Sequence, residues 1–270
     1  MYYSLALFHA AIYSISQIYT VIISIVNEPC DIFPSSHVYA AQHLCIFASN
    51  CGLVLSLVSL CCERCLATAC SRKYESNGAA LGLLLLFLTV IGIIAAIFYV
   101  YSFELFNSKV LSFTILPPGA IEQYNRIAEA NIVIIIICII ILIISSRINK
   151  KRCSISTLTS RYQSRENVIT AEFAAQIASL QATFFILQAA GGLLARIAGN
   201  HFNNNKKLEI AVRQMLYVIP VFTFLLPIYS IYRLKYYRLR REDNIRSIVT
   251  MECRGVGGTQ NYENVITKLW

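Results

Sequence analysis

Charge is what this sequence has least of. Only 14% of its 270 residues are Asp, Glu, Lys or Arg, whereas 57% are hydrophobic and the mean hydropathy is +0.59. Ordinary soluble domains carry about 25% charged residues, so too few polar side chains remain here to clothe a water-soluble surface. Catalytic signatures are missing as well. The four histidines, His9, His37, His43 and His201, have no partners at metal-ligand spacing, and neither a His-Glu-x-x-His nor a Gly-x-Ser-x-Gly pattern occurs. No cofactor is expected, and the chain reads as a non-enzyme. There is no Asn-x-Ser/Thr sequon, so sidedness has to be read from charge alone. The first apolar stretch has no basic segment ahead of it and outruns a signal-peptide core, which favours a spanning helix over a cleaved leader.

Six apolar windows are long enough to cross a hydrocarbon layer of about 30 Å, which takes roughly 20 helical residues. They run over 5–26, 39–62, 79–102, 127–146, 173–198 and 208–232. The fourth, with its isoleucine-rich run from Ile132 to Ile144, is the clearest. The sixth is the least uniform, because Glu209, Arg213 and Gln214 fall in its first turns and Pro220 and Pro227 interrupt it. Proline in a membrane helix is tolerated where neighbours satisfy the freed carbonyls, so a kinked helix is expected there. The fold class is therefore an all-α membrane helix bundle over 1–241, followed by a polar tail over 242–270.

The net charge of +9 follows the same pattern. Lys and Arg avoid the apolar runs and gather between them, which speaks for topology and against nucleic acid as a partner. Seventeen of the 23 lie after the second, fourth and sixth windows; only Lys109, Arg126, Arg196, Lys206, Lys207 and Arg213 lie on the other side. The positive-inside rule places the first set, and both termini, in the cytoplasm. Asn27 to Val38, Phe103 to Arg126 with its turn at Pro117, Pro118 and Gly119, and Asn200 to Asn205 then become external loops.

Of the ten cysteines, Cys51, Cys61, Cys62, Cys65, Cys70, Cys138, Cys153 and Cys253 fall in the membrane or on the cytoplasmic side. Cys30 and Cys45 are the pair that can meet in an oxidising compartment, as a candidate external disulfide. Cys62 and Cys65 form a Cys-x-x-Cys, but within an apolar helix rather than the strand-and-helix setting of a redox motif, and free cysteine is a common small buried hydrophobe. Polar residues inside the windows have two readings, interhelical hydrogen bonding or the lining of a cavity. His43, Gln188, Gln214 and Tyr217 are the candidates for a ligand cavity in the outer half.

The step Cys62-Glu63-Arg64-Cys65-Leu66-Ala67-Thr68 is the most informative polar feature. Glu63 and Arg64 either mark the interface and snorkel or form a switch in which the arginine is released to a partner when helices separate. Neighbouring residues on a helix do not face each other, so Arg64 is expected to find its partner elsewhere, on the Glu166 to Glu172 stretch.

Glu63-Arg64-Cys65-Leu66-Ala67-Thr68 resembles the Glu-Arg-x-x-Ala-Thr motif that ends the third helix of nematode serpentine chemoreceptors of the alpha and alpha/beta classes. Leu158-Thr159-Ser160-Arg161-Tyr162-Gln163, followed by Glu166-Asn167, is similar to the step before the sixth helix of the alpha/beta class. Asn27-Glu28-Pro29-Cys30-Asp31 and Trp270 also resemble that class. The resemblance implies a seven-helix G protein-coupled receptor fold, with the six windows corresponding to the second through seventh helices and the first absent from this sequence. It also implies a chemosensory receptor in the plasma membrane of a sensory neuron. Its partners would be the lipid bilayer, a small-molecule ligand outside and a heterotrimeric G protein inside, with Glu63, Arg64, Arg161, Tyr162 and Glu166 at the coupling face. Leu226-Pro227-Ile228-Tyr229 matches only part of the Asn-Pro-x-x-Tyr of other receptor families, and the long external loop lacks the cysteine that usually tethers it. The rival readings are a transporter or channel subunit, or a non-signalling truncated receptor relative; no inverted repeat and no mid-membrane carboxylate favours transport. The charge asymmetry yields a direct test: epitope tags placed between Arg147 and Glu172, and after Trp270, stay unlabelled on intact cells and become labelled on permeabilisation. Labelling of either without permeabilisation overturns the orientation.

Overall fold

The computed structural model describes residues 1–26, 33–69, 71–102, 104, 106, 113, 115–153, 158–201, 215–249, 259, 260, 262, 263 and 266. Within its helices, side chains are described except at 71–79, 152–153, 158–166, 193, 195–201 and 240–249. Among these residues the long elements are all helices: α1 (Tyr2–Val26), α2 (Ser36–Ala69), α3 (Ser71–Tyr101), α4 (Ile121–Cys153), α5 (Leu158–His201) and α6 (Ile219–Val249). A single turn of 3-10 helix, Pro118–Ala120, leads into α4. Five of the six are long and apolar enough to cross a membrane: α1, α2, and the apolar portions of α3, α4 and α5. With no water to satisfy backbone groups inside a bilayer, helices that bond internally are the form these runs must take.

Most helices extend beyond their apolar windows. α2 continues past Cys62 to Ala69, and α5 begins at Leu158, well before Phe173. The basic connection expected from Arg147 to Glu172 is thus largely the end of α4 and the start of α5. The sixth window departs most. Tyr217 and Val218 are non-helical and α6 starts only at Ile219, so Pro220 sits in its first turn, where its missing N–H costs nothing. Pro227 alone lies inside α6. The earlier part of that window, Leu208 to Gln214 included, lies outside the described residues.

α2 is the central helix. It packs against α1, α3, α4 and α5, while α6 lies against α1 and α5. More than half of the apolar window of α2, 56%, is buried, against 6% for α3. The spacing of the buried side chains explains the difference. Val54, Leu57 and Cys61 on α2 repeat every three or four residues and meet Ile135, Cys138 and Leu142 on α4, at the same spacing. Ala174, Ala178 and Ala182 form a small-residue stripe on α5 that lets its backbone close on the other two. Cys61 and Cys138 serve here as compact apolar filling. By contrast, Leu83, Leu84, Phe87, Leu88 and Val90 of α3 are exposed, as lipid-facing side chains should be.

The outer contacts of α2 rely on glycine. A Cβ on Gly52 would lie 3.1 Å from both Ile93 on α3 and Leu5 on α1, and one on Gly92 would lie 2.9 Å from Leu55. Helix association in lipid depends on such close van der Waals approach, because the hydrophobic effect does not drive it there. Gly52→Leu is therefore expected to overpack the α1–α2–α3 contact by about 1–3 kcal/mol, lowering the midpoint of thermal unfolding in detergent by several degrees. Gly82→Leu, whose Cβ meets nothing within 4 Å, is the matched control and leaves it unchanged.

Candidate functional site

Two polar sites stand along α2, one at its Arg64 end and one near its middle. At the Arg64 end, Thr68 lies one turn beyond Arg64 and donates its hydroxyl proton to the Arg64 carbonyl at 2.8 Å. That proton being used, Ser145 on α4 donates to Thr68 Oγ1 at 2.7 Å and Asn149 donates a second bond at 2.8 Å. Asn149 also donates to the Ser145 carbonyl at 3.0 Å. Thr68, Ser145 and Asn149 are all buried, so this is a satisfied polar knot joining α2 to α4.

Arg64 itself corrects the expectation that it must look past its neighbour. Its Nη2 pairs with Glu63 Oε1 at 2.6 Å, and Nη1 donates to Asn167 Oδ1 on α5 at 3.4 Å. Two long side chains flanking one turn can fold back and meet at their tips even though their Cβ atoms diverge by about 100°. The Asn167 contact lies on the expected stretch of α5. Arg64 is only 13% exposed, and its Nε is buried without a partner. Nearby, Lys150 on α4 pairs with Glu172 on α5 at 2.5 Å, an ion pair open to solvent and weak on that account. The side chains of Arg161, Tyr162 and Glu166, in the first turns of α5, lie outside the described residues.

Beside the middle of α2 lies a cavity of about 380 Å³. Its walls come from α2 (Phe47, Asn50, Cys51), α4 (from Tyr124 to Ile132), α5 (from Phe185 to Gly192) and the 216–219 step. Gln188 and Tyr217, expected from the sequence, line it. The Gln188 Oε1 accepts the Val218 N–H at 2.9 Å, which the break before α6 would otherwise leave unpaired. Irregular backbone at membrane depth is stable only when buried in protein or lining a cavity, and Gln188 meets that requirement here. Tyr217 joins three elements: its hydroxyl contacts His9 Nε2 on α1 at 3.2 Å and accepts from Asn50 on α2 at 3.3 Å.

His43 is placed differently from its expected role. It is absent from the cavity wall and is buried beneath the chain that leads into α4. The Phe113 carbonyl can only accept, so His43 Nδ1 carries the proton of that 2.7 Å bond; the uncharged ring then accepts the Tyr101 hydroxyl at Nε2, also 2.7 Å. Tyr39 donates to the Ile115 carbonyl at 2.7 Å, and the rings of Tyr39, His43, Tyr101 and Phe106 pack edge to face or tilted at 5.4–6.3 Å. His43 thus pins Phe113, and Tyr39 pins Ile115, to α2 without a cysteine. Cys45 is half-buried on α2, while its candidate partner Cys30, like Gln214, lies outside the described residues.

Glu129, Asn125 and Tyr124 also line the cavity and were not singled out from the sequence. Glu129 stands only two residues inside the fourth apolar window. The helix in fact begins at Ile121, so Glu129 sits about 12 Å along it.

The fold and the site define a membrane helix bundle whose central helix lines a cavity and ends in an arginine-bearing polar cluster. The model for the serpentine type 7TM GPCR receptor class ab chemoreceptors matches residues 15–256. Serpentine receptor class beta-3 of Caenorhabditis elegans is 26% identical, the match covering 91% of this chain and 72% of that receptor. Class beta-16 of the same organism is 27% identical over all of this chain and 80% of the receptor, and class beta-6 is 24% identical over 85% and 68%. No solved structure matches. The chain belongs to the serpentine class ab chemoreceptor family and is a multi-pass membrane protein.

The polar knot can be tested independently of signalling. Thr68→Val removes the shared oxygen and strands both Ser145 and Asn149 donors in a buried site, an expected cost of about 1–3 kcal/mol. The thermal unfolding midpoint should fall, whereas Thr68→Ser, which keeps the hydroxyl, should restore most of it. An unchanged midpoint in Thr68→Val would show that α2 and α4 are held by apolar packing alone.

Proposed function

We propose that this chain acts as a chemosensory G protein-coupled receptor in the plasma membrane of a sensory neuron, taking a small external ligand into the cavity and signalling to a heterotrimeric G protein at the Arg64 end. The observation that carries this reading is the span of α2. One helix lines the cavity with Phe47, Asn50 and Cys51 and bears Arg64 about 21 Å further along. A ligand that binds one packing of the bundle more tightly than another shifts the population between them, and α2 lies in contact with both sites. The excess of basic residues on the Arg64 side supports its cytoplasmic placement.

In this reading the resting receptor holds Arg64 between Glu63 and Asn167. Separation of α5 from α2 breaks the 3.4 Å contact first, since it is the longer of the two and runs between helices. The guanidinium then becomes available to the partner, and the coupling role is extended to Arg161, Tyr162 and Glu166 in the first turns of α5. Residues 1–241 form the signalling bundle and 242–270 a cytoplasmic tail.

Arg64→Ala should abolish G protein activation while surface expression stays near the wild-type level, because the guanidinium serves a partner more than the fold. Arg64→Lys keeps the charge and the apolar stem but not the planar fork, and should lower signalling about tenfold. The measurement is second-messenger output evoked by an odorant library and normalised to surface protein. Normal output from both variants would reduce Glu63 and Arg64 to markers of the membrane interface.

A further inference from the structure

The charge on the described cavity wall is of one sign. Glu63, Glu122 and Glu172 each pair with a cation, and Glu104 accepts the Phe106 N–H. Glu129, by contrast, has no hydrogen-bond or ionic partner among the described residues, although it lines the cavity. Arg126, the basic residue closest to it along α4, is turned to Glu122 at 2.6 Å and faces a different cleft. Across the cavity, Asn50 spends its Nδ2 on Tyr217, and its Oδ1 is buried without a donor. Donors line the site too, on Asn131, Gln188 and Tyr124, but Glu129 is its one acidic side chain and none of the described lining residues is Lys or Arg.

We propose that this cavity recognises an organic ammonium ligand, with Glu129 as its counter-ion and Asn50 Oδ1 as a second acceptor for its N–H groups. This rests on the reading of the cavity as the ligand site. Glu129 is exposed on the cavity wall, so its carboxylate can meet an incoming cation. An anionic ligand would add like charge beside it, and a neutral one would gain only a hydrogen bond from an uncharged donor. Phe47, Tyr124, Phe185 and Tyr217 line the same space, and their ring faces attract a desolvated cation while accommodating its apolar part. The volume of about 380 Å³ lies at the small end of ligand pockets, which suits one small amine.

The test uses the full chain in lipid nanodiscs at neutral pH, with binding followed by radioligand or calorimetric titration. The probes are 2-phenylethylamine and octylamine, each with its matched alcohol and its matched carboxylate. The proposal expects both amines to bind at least about tenfold more tightly than their alcohols, as a charge-assisted contact should provide. It expects Glu129→Gln, nearly isosteric, to abolish that preference while alcohol binding persists. Equal binding of amine and alcohol, preference for the carboxylates, or an amine preference that survives in Glu129→Gln each overturns the cationic assignment. In those cases loss of all binding in the cavity-filling variant Ala189→Trp keeps the cavity as the ligand site. Failure of every probe to bind protein that still shows a cooperative unfolding transition overturns the cavity as a small-molecule site, and the ammonium proposal with it.

Discussion

The constraint on which the rest of this structure depends is that α2 is enclosed by protein along most of its apolar length. In a bilayer there is no solvent to satisfy a stray polar group and no hydrophobic effect to hold helices together. The surroundings of α2 answer both needs. Small residues at Gly52 and along the Ala174, Ala178 and Ala182 stripe let its neighbours approach, and Val54, Leu57 and Cys61 fill the contact. Its polar side chains then have to find partners on those neighbours. Asn50 meets Tyr217, His43 meets Tyr101 and Phe113, and Thr68 meets Ser145 and Asn149.

These links differ in kind along the helix, and the difference bears on function. At Thr68 every donor and acceptor of the hydroxyl is engaged, so α2 and α4 are tied together firmly. Arg64 is tied to α5 by one long hydrogen bond and retains a buried, unpartnered Nε. At the cavity, Glu129 and Asn50 Oδ1 are left with acceptor capacity unused. α5 supplies both Gln188 at the cavity and Asn167 at Arg64, and it packs more closely on α4 than on α2. Through Gln188 it also supports the non-helical step at Tyr217 and Val218.

Particular residues show where sequence reasoning reached and where it stopped. The apolar windows and the Glu63-Arg64 step were legible because length, hydropathy and adjacency are properties of the chain itself. Gln188 and Tyr217 were legible as polar residues that lipid would not tolerate. His43 satisfied the same criterion yet proved to be a loop anchor, since polarity within a helix indicates that a partner exists without saying which one. Glu129 escaped notice because a hydropathy window does not show that a residue near its start lines a cavity shared with α2 and α5. Pro220 read as a kink for a related reason: only the observed break at Tyr217 and Val218 turns it into a first-turn residue.

By itself, the sequence determined that this protein is a bundle of membrane helices, the uneven distribution of its basic residues and its kinship with serpentine chemoreceptors, because bilayer thickness and desolvation cost act on every residue regardless of its neighbours. The tertiary structure decided which helix is central, which polar side chains are spent on holding the bundle together and which are left over to face a cavity. Those outcomes depend on helix rotation and on contacts between residues far apart in the chain, such as Thr68 with Asn149 and Asn50 with Tyr217, and no local pattern encodes them.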